Sequence, residues 1–294
     1  SGITLVEEPL NPWKATSTGV GEMILDAVQK GCRKFIIGIG GSATTEGGIG
    51  MLSALGYDFM DENGDRLSPV FDSLEKVVQI KNNRVPEVLK DCHFQIACDV
   101  TNPLCGARGC VYVFGAQKGV KEEEKESMDR AMQSYAACLE KFTGKKLSEI
   151  PGTGAAGGLG FAFLWGLPNV ELKPGIDIVL EAVGLTNELK DADVVVTGEG
   201  CLDFQTAMGK VPVGVAKTAK NYNCKVIAFA GSVTEEAKNC NEKGIDAFFS
   251  ILPGVCSLDE AMDTETAQKN MRNAAEQVFR LILACGKEKS SLHP

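Results

Sequence analysis

Histidine is almost missing from this chain: there are two in 294 residues, His93 and His293. That scarcity leaves little room for a histidine metal site or a histidine-activated nucleophile. The 11 cysteines contain no Cys-x-x-Cys pair, and an odd number without framework spacing fits reduced thiols and a cytoplasmic location rather than a disulfide scaffold. No run reaches the roughly 18 apolar residues that cross a bilayer, and no signal-peptide pattern is present. A net charge of −9 carries no basic stripe for nucleic acid. It still permits anionic substrates, because a local lysine and loop amides bind them within an acidic surface. Gly-x-x-x-x-Gly-Lys-[Ser/Thr] is absent, so this is no P-loop protein. Gly-x-Gly-x-x-Gly with an acid some 20 residues on is also lacking after any strand, which argues against a nicotinamide enzyme.

What the chain does have is 44% hydrophobic residues and 33 glycines, a composition suited to an α/β protein with many tight strand-to-helix turns. Its length allows one large or two medium domains. Periodicity predicts a helix over Met23–Lys30 capped by Gly31, a strand over Lys34–Ile39, and a helix over Ile49–Leu55 stopped by Gly56. Tyr57–Arg66, with Asn63-Gly64 at its turn, reads as a hairpin. Phe94–Cys98 is a short strand, Glu122–Phe142 a long amphipathic helix ended by Gly144, and Gly160–Trp165 an apolar helix or strand. From Asp193 the elements alternate: strand Val194–Val196, helix Val213–Tyr222, strand Val226–Ala230, helix Thr234–Lys243, strand Ala247–Ile251 and helix Asp259–Ala284. That order reads as a parallel sheet.

Four loops at strand ends carry the chemistry. Val194-Val-Val-Thr-Gly-Glu-Gly-Cys-Leu-Asp-Phe-Gln-Thr-Ala-Met-Gly-Lys210 empties a β-branched run into a loop bearing Glu199, Asp203, Gln205, Thr206 and Lys210. Two acids and a lysine suit a magnesium ion and a phosphate, and strand carboxyl ends are where α/β sheets bind ligands. The bland alternative is one N-cap, one solvated acid and a surface lysine. Gly38–Gly48 offers Gly41, Ser42, Thr44 and Thr45 as donors ahead of a helix, against the alternative of a plain tight turn. Asp99, followed by Thr101 and Asn102, is a magnesium ligand or a base near a substrate hydroxyl, or else a turn cap. Gly154, Gly157 and Gly158 contact a ligand or let backbones pack closely. Lys118 is a candidate anion contact whose default is a solvated side chain.

In order and at family-like spacing, with Val113-Phe-Gly-Ala-Gln-Lys-Gly119 and Pro174-Gly-Ile-Asp-Ile178 between them, these loops resemble the type I glycerate kinase family over essentially the whole chain. The resemblance implies ATP- and Mg2+-dependent phosphorylation of D-glycerate, 2-phosphoglycerate being the favoured product, in a cleft between two α/β domains. Residues 1–184 would be an inserted α/β domain. Residues 185–294 would be the C-terminal part of a Rossmann-like parallel-sheet domain. The family's Asp-Ser-Phe-Lys-Gly-Ser-like and Ala-Asp-Gly-Gly-Glu-Gly-like loops do not occur in these residues, so an N-terminal segment absent here is expected to complete that domain. Asp99, Asp203 and Lys210 are the expected catalytic groups, with Glu199 and Asp203 as metal ligands. Gly41, Ser42, Thr44, Thr45, Thr101, Asn102, Gly154, Gly157, Gly158, Glu199, Gln205 and Thr206 are the expected substrate and nucleotide contacts. Cys201 stands where the family often has a basic residue. Expected partners are D-glycerate and ATP, with neither nucleic acid nor membrane, and a homo-oligomer stays open. Which loop holds ATP and which holds glycerate is open too, and the alternative function is a non-catalytic fragment that binds a small molecule or nucleotide.

Overall fold

A computed structural model describes residues 2–6 and 9–287 of the chain, which divides into two compact units, 1–178 and 179–294. The first unit contains a parallel sheet of β1 (Lys34–Gly38), β4 (His93–Ala97) and β5 (Val170–Lys173), in the order β1-β4-β5. An antiparallel pair, β2 (Asp58–Met60) and β3 (Gln79–Lys81), lies outside that sheet. The expected hairpin over Tyr57–Arg66 is present in its shortest form: Met60 and Arg66 bridge antiparallel across the Asn63-Gly64 turn, the Leu67 N–H donates to the Phe59 carbonyl at 2.8 Å, and the ladder partner of β2 is β3. Helices Thr18–Gln29, Ile49–Ala54, Lys125–Thr143 and Leu159–Gly166 supply the apolar faces that bury one continuous core. Gly31, Gly56 and Gly144 adopt left-handed φ after their helices, where a side chain would be strained. Leu159–Gly166 has nearly every residue buried, so its lack of periodicity in sequence is that of a core helix.

The second unit is a parallel sheet of β6 (Val194–Leu202), β7 (Lys225–Val233) and β8 (Ala247–Ser250), in the order β6-β7-β8. Its helix Val211–Lys220 packs Val213, Ala216 and Ala219 into the core beside Val226 and Ala228. The structure corrects three sequence expectations here. β6 runs six residues beyond Val196, so Glu199 and Cys201 belong to a strand and not to a loop. Residues Glu235–Lys243 form a 3-10 helix rather than an α-helix. The single helix expected over 259–284 is two, Leu258–Met262 and Thr264–Lys287. Each of the two has its own cap: Ser257 accepts from the Glu260 N–H, and Asp263 accepts from the Thr266 N–H. Among the described residues, no helix is long and apolar enough to cross a membrane.

Candidate functional site

In the first unit the sheet register brings the loops together. Gly38 pairs with Ala97, and Ala97 with Lys173, so the residues just past all three strands lie side by side. Asp99 Oδ1 accepts the Gly175 N–H at 2.8 Å across that row. A cavity of about 250 Å³ opens there, lined by Gly41, Ser42, Asp99, Phe114, Gln117 and Lys118 among others. The Ala155 and Ala156 backbone closes one side, with Ala156 at φ +54°, a strained value for a residue with a side chain.

Lys118, a candidate anion contact in sequence, departs from the solvated default set beside it. It is 2% exposed, not solvated, and its Nζ donates to Ser42 Oγ at 2.9 Å and to the Thr44 carbonyl at 2.6 Å. Burial pushes its pKa down to about 8, partly opposed by the Cys110 thiol and the Glu46 carboxyl. The one signal in sequence was its position between Gly115 and Gly119, where Gly119 turns back at φ +93° against Leu10. Glu46, which sequence reasoning missed, is fully buried and accepts the Ser17 N–H at 2.7 Å through Oε1. Burial raises its pKa, and its Oε2 has no hydrogen-bond partner among the described residues.

The other expected contacts of this unit divide. Gly41 and Ser42 line the cavity. Thr44 and Thr45 are buried with their hydroxyls unpartnered among the described residues, and neither lines the cavity. Thr101 is exposed away from it. Asn102 is a clamp: its side chain donates to the Arg108 carbonyl at 2.8 Å, and its own carbonyl accepts from Gly152 and Gly154. The glycines of 154–160 are buried and serve close packing. A Cβ on Gly157 would stand 2.0 Å from the Thr44 carbonyl oxygen, and one on Gly158 2.6 Å from Gly47 Cα. The 154–160 segment therefore props the 40–48 loop from behind, and the Gly47 N–H donates to the Gly157 carbonyl at 2.9 Å.

In the second unit a single hydroxyl organises the acids. Thr206, fully buried, donates to Glu199 Oε1, and its Oγ1 lies 3.3 Å from Asp203 Oδ1. Asp203 caps the short helix Phe204–Ala207, accepting the Thr206 N–H at 3.0 Å while its own N–H donates to Thr206 Oγ1. That backbone hydrogen bond, ahead of the charge of Lys210, holds the Asp203 carboxyl below the usual carboxylate range. Lys210 Nζ stands 3.6 Å from Asp203 Oδ1, and Gln205 is exposed. A second cavity, of about 840 Å³, lies over the ends of β6 and β7, with Gly198, Glu199, Gly200, Gly231 and Ser232 on its polar side and Leu252, Leu258 and Met262 on its apolar side.

Among the described residues no group of three or more His, Cys, Asp and Glu side chains could hold a metal ion. Glu199 and Asp203, brought onto one hydroxyl, still fit magnesium, which commonly takes one or two protein carboxylates and fills its shell with phosphate oxygens and water.

Known proteins resemble this chain over nearly its whole length. The family model described as "Glycerate kinase family" matches residues 1–283. A glycerate kinase from Haemophilus influenzae is 42% identical over 283 residues, covering 96% of this chain and 74% of that protein. A glycerate 2-kinase from Escherichia coli is 44% identical over 262 residues, 89% of this chain and 68% of that one. The crystal structure of a "putative glycerate kinase 2" from Salmonella typhimurium superimposes with a TM-score of 0.84 at 41% identity, covering 98% of this chain and 74% of that one.

Proposed function

The chain belongs to the glycerate kinase family, a family of phosphotransferases acting on an alcohol group, and from that membership we propose that it transfers the γ-phosphoryl group of ATP to D-glycerate. The observation that carries this reading is the convergence of three separate loops, 39–42, 98–100 and 114–118, on one small cavity with a lysine, a serine and an aspartate in it. Phosphoryl transfer asks a protein chiefly for positioning and for charge placed where charge develops.

Asp99, held by one oxygen to the Gly175 amide, is the group that takes the proton from the attacking hydroxyl. That hydroxyl oxygen bonds to the γ-phosphorus while the bond from phosphorus to the bridging oxygen breaks and ADP leaves. Glu199 and Asp203 would hold Mg2+, which would supply positive charge to offset that of the phosphates. Lys210, beside Asp203, meets phosphate charge. The apolar lining of the second cavity, with glycine backbone along its polar side, supports it as the nucleotide's place, and its volume lies in the range of sites for ligands of that size. The 2-hydroxyl is the favoured acceptor, in line with the Escherichia coli relative's name. We read residues 1–178 as the inserted domain and 179–294 as part of a Rossmann-like one. Reduced thiols, all 11 of them free, support a cytoplasmic location.

A coupled assay of ADP release with ATP, magnesium and D-glycerate tests the proposal, and phosphorus NMR of the product reports which carbon is phosphorylated. No ADP above background would retire the kinase reading in favour of a binding fragment.

A further inference from the structure

We propose that the first unit's cavity is the receptor for the hydroxy-acid acceptor, and that Lys118 binds its carboxylate. The assignment deepens the kinase reading and rests on it for the identity of the acid. Among the described residues Lys118 is the only buried cation. Its two partners, Ser42 Oγ and the Thr44 carbonyl, are both neutral, and no carboxylate of a described residue lies within 4.0 Å. An ammonium has three N–H donors, so one remains for a ligand. A buried charge without a counter-ion is costly, and such an arrangement persists where an anion completes it. Glu46 acts on it only from a distance: its Oε1 accepts the Ser17 N–H at 2.7 Å, and neither of its oxygens comes within 4.0 Å of the ammonium.

Size selects the kind of anion. A cavity of about 250 Å³ is smaller than sites for drug-sized ligands, roughly 300–1,000 Å³, and suits a three-carbon acid rather than a nucleoside triphosphate. Charge count points the same way. One lysine and one hydroxyl, against walls such as Ile39, Phe114 and Ala155, match a single negative charge. Among the described residues the walls contain no arginine fork, the usual bidentate receptor of a phosphate. Asp99 on the same wall would repel a second anion and accept from hydroxyl groups. The cavity is therefore complementary to a molecule with a carboxylate at one end and hydroxyls at the other.

The test uses the 294-residue chain and its Lys118→Met variant. Methionine keeps the length and apolar stem of the lysine and removes its charge. D-glycerate binding is measured by titration calorimetry without nucleotide, alongside KM values for D-glycerate and ATP, with circular dichroism and thermal melting as checks on folding. The expected result is a rise of about 100-fold in Kd and KM for D-glycerate with KM for ATP unchanged, because a site built around a buried polar group discriminates steeply against its loss. Glycerol, which lacks the carboxylate, should be handled equally poorly by both proteins.

Unchanged D-glycerate affinity in a folded Lys118→Met protein would overturn the assignment. So would a rise confined to the KM for ATP, which would make the cavity a phosphate site. If the variant does not fold, Ser42→Ala and a pH titration of the unaltered chain decide. Removing a partner of the ammonium should weaken glycerate binding severalfold, and affinity should fall above about pH 8 as Lys118 loses its proton in the field of Cys110 and Glu46. Neither change appearing would end the proposal. Glycerate binding that depends on Lys118 without any ADP release would keep this assignment while retiring the kinase reading.

Discussion

The two units carry the same residue types, lysine, aspartate and hydroxyl beside glycines, and hold them in opposite ways. In the first unit Lys118 is 2% exposed and its loop is wedged between backbones too close for a Cβ. In the second, the side chains of Lys210 and Asp203 are 41% and 25% exposed, and the acids are held by one threonine and a helix cap. Burial makes a charge selective, since a desolvated ammonium without its anion has no water to fall back on. Exposure makes a charge adaptable, since water and salt screen it and the side chain can move. A small acid needs the first kind of site. A phosphate chain with a hydrated metal ion is served by the second.

The comparison can be broken hardest at glycine. Gly157→Ala puts a methyl 2.0 Å from the Thr44 carbonyl oxygen at a φ of +68°, so both contact and backbone must give way. A loss of about 3 kcal/mol or more is expected in urea denaturation, together with loss of glycerate binding. The counterpart in the second unit is Gly209→Ala, where φ is +120° and nothing lies within 4 Å of the added Cβ. Only backbone strain applies there, about 1 kcal/mol. Equal losses at the two positions would show that close packing is not what distinguishes the sites.

Next in size is Asp203→Asn. Asparagine caps helices about as well as aspartate, so the melting temperature should hold while kcat falls at least tenfold. A parallel loss of stability and kcat would return Asp203 to a purely structural role. Lys210→Met should lower kcat severalfold with no change in stability, because an ion pair at 3.6 Å between partly exposed side chains adds little to the fold. An unchanged kcat would remove Lys210 from the phosphate site.

Much of this architecture was legible in the residues. β1, β4 and the helix Lys125–Thr143 fall where periodicity and glycine stops put them. The strand register that gathers the loops of the first unit was not legible, because pairing partners lie far apart in sequence. Glycine misled most in β6. Gly198 and Gly200 look like turn residues, yet a Cβ on Gly198 would meet the Phe229 carbonyl oxygen at 2.4 Å. Its glycine answers a close approach of the neighbouring strand, which lets the strand continue through Glu199. Solvation was the default for Lys118 because the flanking Gly115 and Gly119 were the one local sign of burial, and its two acceptors are more than 70 residues away.

The smallest expected effect probes the buried acid behind the first site. Glu46 titrates above its ordinary value of 4.5 because burial disfavours its charge, and Tyr135, whose hydroxyl is likewise unpartnered among the described residues, feels that charge. A carboxyl whose folded-state pKa exceeds its unfolded one binds more protons in the folded chain across that window. Its contribution to stability is therefore full below about pH 4.5 and is lost as pH rises through the folded value. Glu46→Gln keeps an oxygen for the Ser17 amide and removes the titration. Relative to the unaltered chain, the variant should gain stability between about pH 4 and about pH 7 in urea denaturation. A stability difference that is the same at both pH values would mean that Glu46 is charged in the folded chain without penalty, and that the wall behind the 40–48 loop is less dry than its geometry requires.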